Sequence, residues 1–147
     1  MTLLADYLEE GKILIGFEEH SYRELLSKML ACSTEHDTTV LLDRIFEREK
    51  VMTTAPGKGI YLPRVIIKGK PKSEIIIAIN PHGICFDDYA GLPAKIIVLF
   101  LFAASDDRAN MIARSLRMFN DDSLFADLLE SKKPKEVINA ILKWEEE

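Results

Sequence analysis

The chain has 147 residues and a formal net charge of −5 at pH 7, with 48% hydrophobic and 29% charged residues. This length suits a single domain, residues 1–147, and the composition is that of a globular protein with a buried core. The negative charge repels nucleic acid and anionic lipid, which argues against a nucleic-acid partner. The longest apolar run, residues 96–104, is about half as long as a membrane-spanning helix, so we expect no membrane insertion.

The cysteines and the first residues indicate the compartment. Cys32 and Cys85 lie far apart and lack the spacing of a metal site, which is typical of a reduced, cytoplasmic protein. Residues 1–8 contain Asp6 and no long apolar segment, so they do not resemble a secretory signal. We therefore expect a cytoplasmic protein that uses neither a metal nor a cofactor.

The first third of the chain is predicted to contain short helices and one strand. Gly11 is expected to end the first helical turn. Ser21 is a good N-cap, and Glu24 follows it at the spacing of a capping box. The last helix of this part carries a charged face, which we expect to be solvated and which consists of Asp43, Arg44, Glu47 and Arg48. The elements are a helical turn over residues 3–8, a strand over 12–16, a helix from 21 to about 31 and a helix over 41–49.

Residues 51–68 contain the densest set of turn-forming residues in the chain. Gly59 permits a positive φ before a short strand over residues 60–62, and Pro63 ends the ladder of that strand. Pro63 also fixes the direction of the next side chain, Arg64. The turn-forming residues are Pro56, Gly57, Gly59 and Pro63.

The middle of the chain is predicted to contain the main strands. The β-branched runs over residues 65–67 and 74–79 are joined by Gly-Lys-Pro-Lys, which indicates a hairpin or a short excursion between strands. Prolines and glycines over residues 81–93 predict a loop. The apolar run over residues 95–103 does not alternate, which predicts a central strand buried on both faces.

Three helices are predicted after that strand. Ser105 or Asp106 is expected to cap the first helix, Asp121 or Asp122 the second, and Pro134 opens the last. Helices at both ends of the chain and strands in its middle predict an α/β fold. We expect a three-layer α/β/α sandwich with a central mixed β-sheet flanked by helices on both faces.

Four motifs lie in order along the chain. They are Arg48-Glu49 at the end of the second predicted helix, Gly-x-Gly-Ile-x-x-Pro over residues 57–63, Ile-Cys-Phe-Asp over residues 84–87, and the apolar strand that runs into Ala104-Ser105-Asp106. Together they resemble enzyme IIA of the bacterial sugar phosphotransferase system, in its fructose, mannitol and nitrogen-regulatory branch. The resemblance implies a domain that receives a phosphoryl group on a histidine from a small phosphocarrier protein. Such a domain passes the group to a sugar-transport domain or uses it as a regulatory signal.

At the phosphoryl site, the sequence of this chain departs from that of the family it resembles. In that family the accepting histidine directly follows the proline of the Gly-Ile-x-x-Pro motif, and here Arg64 occupies that position. A neutral imidazole offers phosphorus a lone pair, whereas a guanidinium has none. The family's assisting histidine is expected early in the helix after Ser105, at a position that Met111 occupies. The resemblance therefore implies that no catalytic residue of the site is intact.

Other roles for the residues around position 64 remain open. Cations near backbone N–H groups at glycines bind oxyanions, so this segment is predicted to hold a phosphate, a carboxylate or a nucleotide. The alternative is a salt bridge from Arg64 to Glu49, Asp87 or Asp106. The predicted anion site comprises Lys58, Gly59, Arg64 and Lys68.

The histidines supply a further alternative. His82 lies between Pro81 and Gly83 and is the candidate for a displaced phospho-acceptor, while His20 and His36 are typical of surface or capping positions.

Three functions are compatible with these features. We favour a regulatory or sensing domain that is not phosphorylated and acts through a protein partner or a small anionic ligand. The others are an active phosphocarrier that uses His82 and a module associated with a membrane transporter. The partner is expected to be a phosphocarrier protein, a transporter or a regulated enzyme. The sequence leaves open whether the domain forms a homodimer and whether its lineage is sugar transport or nitrogen regulation.

Overall fold

The fold is taken from a computed structural model that describes residues 3–48 and 58–147, and the backbone alone of residues 49–51. The turn predicted at Pro56-Gly57 lies outside the described residues. Two short 3-10 helices, Leu4–Tyr7 and Glu10–Lys12, precede the first strand. The other elements are β1 Ile13–Ile15, α1 Tyr22–Leu30, α2 Thr38–Val51, β2 Ile60–Tyr61, β3 Arg64–Ile67, β4 Glu74–Ile84, β5 Ala94–Ala103, α3 Arg108–Phe119, α4 Asp122–Glu130 and α5 Pro134–Glu146.

Strand β5 lies at the centre of a mixed sheet. β4 pairs with one side of it in antiparallel orientation, and β2 and β3 pair in parallel with successive parts of its other side. β1 extends the sheet by pairing in parallel with β4. This confirms the predicted central strand, and it leaves β3 at an edge of the sheet among the described strands.

The side chains of β5 enter two separate cores because successive residues of a strand point to opposite faces. Phe100 and Phe102 pack in the core beneath α3, α4 and α5. Leu99 and Leu101 pack in the other core, beneath α1 and α2. A strand buried on both faces has no polar alternation, which is why the sequence reveals it. The three-layer α/β/α sandwich is confirmed.

Most of the observed helix starts agree with those predicted from the sequence. Ser21 Oγ accepts a hydrogen bond from the Glu24 N–H at 3.1 Å and caps α1. Asp121 caps α4, and Pro134 is the first residue of α5. These positions were predictable because the cap chemistry is local.

The predicted cap of α3 was wrong. Asp107 caps this helix, and its carboxylate accepts a hydrogen bond from the Asn110 N–H at 3.1 Å. The Asp106 carboxylate instead accepts hydrogen bonds from Ser73 Oγ at 2.6 Å and from Tyr7 Oη at 3.2 Å. A tertiary contact therefore decides between neighbouring residues that are equally able to cap.

Of the two alternatives predicted for the connection between β3 and β4, the structure shows the short excursion between strands and not the hairpin, because each strand pairs with β5. Two further predictions required correction. The predicted loop over residues 81–93 begins later, since β4 continues to Ile84 with an irregular register after Ile79. Gly11 does not end the first turn, which stops at Tyr7, and it lies within the second 3-10 helix.

Candidate functional site

A cleft of about 630 Å³ opens where the edge strand β3 lies between α2 and α3. Arginines from three elements line it: Arg44 and Arg48 from α2, Arg64 from β3 and Arg108 from α3. Arg44 and Arg48 are four residues apart, so they lie on the same face of α2. The described lining contains no aspartate or glutamate, which makes this part of the cleft cationic.

The position of Arg64 follows from the pairing of its strand. The Pro63 carbonyl accepts a hydrogen bond from the Phe100 N–H at 2.9 Å, and Arg64 lies opposite Phe100 in the parallel register. Val65 enters the core beneath α1 and α2. Because side chains alternate along a strand, Arg64 and Ile66 point to the other side of the sheet, where α3 lies.

Arg44 and Arg108 donate to neutral acceptors. Arg44 Nη2 donates to the Ile66 carbonyl at 2.6 Å, which occupies a backbone acceptor on the open edge of β3. Arg108 Nη1 donates to the Ala104 carbonyl at 3.0 Å, just beyond the end of β5. Neither bond pairs a guanidinium with a carboxylate, so both groups add positive charge to the cleft.

The remaining walls of the cleft are apolar. Ile66 is 41% exposed and Leu116 is 36% exposed, whereas Phe102 belongs to the core beneath α3. Ile112 completes this part of the wall. The cleft therefore combines guanidinium donors with hydrocarbon surface.

The four residues of the predicted anion site are not brought together. Of the four, Arg64 alone lines the cleft. Lys58 Nζ forms an ion pair with Asp122 at 2.7 Å, and Lys68 lines a different cavity. Gly59 is buried with φ of +76°. The reason is that β2 and β3 run one after the other along β5, which places Lys58 and Lys68 at opposite ends of this edge.

Met111 is also outside the cleft. It is 7% exposed, packs in the core beneath α3 and lines a small cavity beside Leu4 and Tyr7. Arg108 and Ile112 are the neighbouring residues of α3 that line the cleft. Arg108 and Arg44 were missed as site residues, and only the spacing of Arg44 and Arg48 gave a signal in the sequence.

None of the chain's three histidines lines the cleft. His20 precedes α1, His36 precedes α2, and both are exposed. His82 is exposed in the irregular part of β4, where its backbone N–H donates to Asn80 Oδ1 at 2.9 Å. The Asn80 side chain donates in turn to the Phe17 carbonyl at 2.8 Å, which ties this bulge to the loop after β1.

The salt-bridge partners suggested for Arg64 lie in different places. The Glu49 side chain is outside the described residues. Both oxygens of Asp106 accept hydrogen bonds from Tyr7 and Ser73, and Asp87 is exposed in the segment after β4.

A separate ion network lies beside the first residues of β4. Its centre is Glu74, whose carboxylate pairs with Lys70 Nζ at 2.6 Å and with Lys12 Nζ at 2.8 Å. Glu35 pairs with the same Lys70 Nζ at 2.5 Å, and Thr34 Oγ1 donates to Glu74 at 2.8 Å. Burial alone would raise the pKa of Glu74, but the hydrogen bonds from Lys12, Lys70 and Thr34 outweigh it and lower the pKa to about 2.

The described part of the chain contains neither a membrane-spanning helix nor a group of metal-binding side chains. No helix in residues 3–51 or 58–147 is both long enough and apolar enough to cross a bilayer. Within the same ranges, no group of three or more His, Cys, Asp or Glu side chains could hold a metal ion.

Residues 6–144 match the family model described as phosphoenolpyruvate-dependent sugar phosphotransferase system, EIIA 2. The mannitol-specific EIICBA component of Vibrio cholerae is 25% identical over 141 residues, which cover 91% of this chain. The chain spans only 21% of that longer protein. A nitrogen regulatory protein of Bradyrhizobium diazoefficiens is 24% identical over 144 residues, which cover 95% of this chain and 94% of the relative.

Solved structures show the same fold. The nitrogen regulatory protein IIA-Ntr of Neisseria meningitidis superposes with a TM-score of 0.79 at 18% identity, covering 95% of this chain and 99% of that one. The Escherichia coli mannitol enzyme IIA, solved in complex with phosphorylated enzyme IIB, gives a TM-score of 0.71 at 17% identity, covering 92% and 97%. Because the family model matches nearly the whole chain and the α/β sandwich is shared, the chain belongs to the EIIA type 2 family of the phosphotransferase system.

Proposed function

We propose that this chain is a cytoplasmic EIIA domain that does not accept a phosphoryl group at position 64. It acts instead as a regulatory or sensing protein, through a protein partner or a small anionic ligand. The observation that carries the proposal is the cleft itself, where Arg64 lies among three other arginines and no histidine is present in the described lining.

The chemistry of guanidinium supports this reading. Phosphoryl transfer to a side chain requires a lone pair that can attack phosphorus, and a protonated guanidinium has none. The pKa of arginine is above about 12, so its neutral fraction at pH 7 is on the order of 10⁻⁵ or less. An arginine is well suited to hold an oxyanion, because its planar fork donates two parallel hydrogen bonds.

A protein partner is supported by the family. The E. coli mannitol enzyme IIA was solved in complex with phosphorylated enzyme IIB, so a domain of this fold binds a phosphorylated protein. The chain resembles both a nitrogen regulatory protein and part of a mannitol transport component, and a role beside a membrane transporter is therefore a variant of the same proposal.

An active phosphocarrier that uses His82 is the second candidate. The side chain of His82 is exposed and could be reached by a donor protein. It lies on the irregular segment of β4 and does not line the arginine cleft, so such a carrier would use a new site.

Incubation of the chain with phosphoenolpyruvate, enzyme I and the phosphocarrier protein separates the two candidates. We expect intact-mass spectrometry to show no phosphorylated chain, under conditions in which a nitrogen-regulatory relative is fully phosphorylated. An acid-labile phosphate on the chain would contradict the proposal. The same assay on His82→Gln would then show whether His82 is the acceptor, since the phosphate would disappear from that variant.

A further inference from the structure

We propose that the arginine cleft binds a small organic anion in which a phosphate or carboxylate group is attached to an apolar body. This deepens the proposed function, because it names the ligand class of the same cleft. Arg44 and Arg108 hold the anionic group, and the apolar wall formed by Ile66, Ile112 and Leu116 holds the body.

The charge of the cleft argues for an anion. Arg44 and Arg108 each donate a hydrogen bond, of 2.6 Å and 3.0 Å respectively, to a neutral backbone carbonyl. A guanidinium has five N–H donors, so each retains donors for a second acceptor. No carboxylate among the described residues pairs with either group, and an incoming oxyanion would gain charge-assisted hydrogen bonds from both.

The uncharged part of the lining argues for an apolar body. Apart from the arginines, the described side chains that line the cleft are all hydrocarbon or aromatic: no serine, threonine, asparagine, glutamine or tyrosine is among them. The hydroxyl groups of a sugar phosphate would find no side-chain acceptor on this wall, and burying them unpaired is unfavourable. A ring or alkyl chain covers Ile66 and Leu116, whose exposed surface gains from burial.

The size of the cleft agrees with this class. Its volume of about 630 Å³ lies within the range of pockets for small organic molecules, roughly 300 to 1,000 Å³. An inorganic phosphate ion would occupy only a small part of it. The cavity around Glu74 is nearly as large, at about 550 Å³, but its lysines and glutamates are already paired with one another.

Isothermal titration calorimetry with four probes tests the inference: phenyl phosphate, benzoate, inorganic phosphate and glucose 6-phosphate. We expect phenyl phosphate to bind at least about tenfold more tightly than inorganic phosphate, which corresponds to burying roughly 60 Å² of apolar surface. Glucose 6-phosphate should bind no better than inorganic phosphate. Benzoate should bind detectably, because its carboxylate also fits the guanidinium fork.

Matched arginine variants locate the binding site. Arg44→Gln and Arg108→Gln should each weaken phenyl phosphate binding by about tenfold or more, as expected for loss of a charge-assisted hydrogen bond. Arg117→Gln is the control, because Arg117 is exposed on α3 and does not line the cleft. Its affinity should equal that of the wild type, and circular dichroism verifies that all three variants are folded.

Several outcomes would overturn the inference. They are equal affinities for phenyl phosphate and inorganic phosphate, tighter binding of glucose 6-phosphate, no binding of any probe at millimolar concentration, or unchanged affinity in both folded cleft variants. Each of these leaves the proposed function standing, since a protein partner could still use the surface. The phosphorylation assay alone decides that proposal, so the two failures are distinguishable.

Discussion

Replacing Glu74 by glutamine is expected to lower the free energy of unfolding by about 3 kcal/mol at pH 7. The Glu74 side chain is only 7% exposed and contacts two ammonium groups, those of Lys12 and Lys70. Glutamine keeps the shape and one acceptor oxygen but removes the negative charge. The two lysines would then be buried with less compensation.

The magnitude follows from the pKa of Glu74. Hydrogen bonds from Lys12, Lys70 and Thr34 outweigh burial and lower this pKa from 4.5 to about 2. Each unit of such a shift corresponds to about 1.4 kcal/mol, and removing one partner of a buried ion pair costs about 3 to 5 kcal/mol. The value of about 3 kcal/mol is at the lower end of that range because Glu35 still pairs with Lys70 in the variant.

The sign of the pH dependence is fixed by the direction of the shift. Because the folded state holds Glu74 ionised more strongly than the unfolded state does, its contribution is complete above the unfolded pKa. It is lost as the pH falls through the folded pKa. The difference in stability between wild type and Glu74→Gln should therefore be largest above about pH 5 and shrink towards pH 2.

Urea unfolding of both proteins at several pH values measures this difference. Glu9→Gln is the matched control, because Glu9 pairs with the same Lys12 at 2.5 Å but is 65% exposed. An exposed pair contributes about 0 to 1 kcal/mol, so the control should be close to wild type. A cost below about 1 kcal/mol for Glu74→Gln, or a difference that does not change with pH, would refute the reasoning.

Two further predictions concern Gly59, which precedes β2, and Arg64, the first residue of β3. Gly59→Ala should lower the free energy of unfolding by about 2 kcal/mol or more, because φ of residue 59 is +76° and the new Cβ would overlap the Pro93 carbonyl oxygen. Thermal unfolding measures this loss of stability. An unchanged unfolding midpoint would contradict the prediction. Arg64→His should allow slow phosphorylation by the phosphocarrier protein, since it places an imidazole at the cleft. Ile112 lines the cleft, so adding Ile112→His to Arg64→His should increase the phosphorylation rate, whereas Met111 is buried and adding Met111→His should not. A faster reaction with Met111→His than with Ile112→His would show that α3 is oriented differently.

The layers of the fold were predictable because their signals are local. The run of apolar residues in β5 has no polar alternation, and a strand with this pattern must be covered on both faces. Ser21 and Pro134 mark helix starts by the chemistry of the first turn. These features need no knowledge of distant parts of the chain.

The errors concern contacts between segments that are distant in sequence. The sequence left open whether β3 and β4 form a hairpin, because a short Gly-Pro connection fits either arrangement and the pairing of both strands with β5 depends on the whole sheet. Asp106 failed as a cap because Ser73 and Tyr7 bind its carboxylate. Local sequence cannot choose between such neighbours.

The candidate site was predictable only in its centre. The motif around Pro63 singled out Arg64, and the structure places Arg64 in the cleft. Arg44 and Arg108 reach the same cleft from elements 20 residues before and 44 residues after it. Lys58 and Lys68 are closer in sequence but lie elsewhere, because an extended chain separates its ends more quickly than any other conformation.

Phosphorus-31 NMR of the wild-type chain, after exposure to phosphoenolpyruvate, enzyme I and the phosphocarrier protein, is the most direct measurement of whether this domain carries a phosphoryl group. With a guanidinium at residue 64 and the histidines outside the cleft, we predict no phosphohistidine signal on the chain. A phosphohistidine resonance from the folded wild-type protein would contradict that prediction and identify a working phosphocarrier.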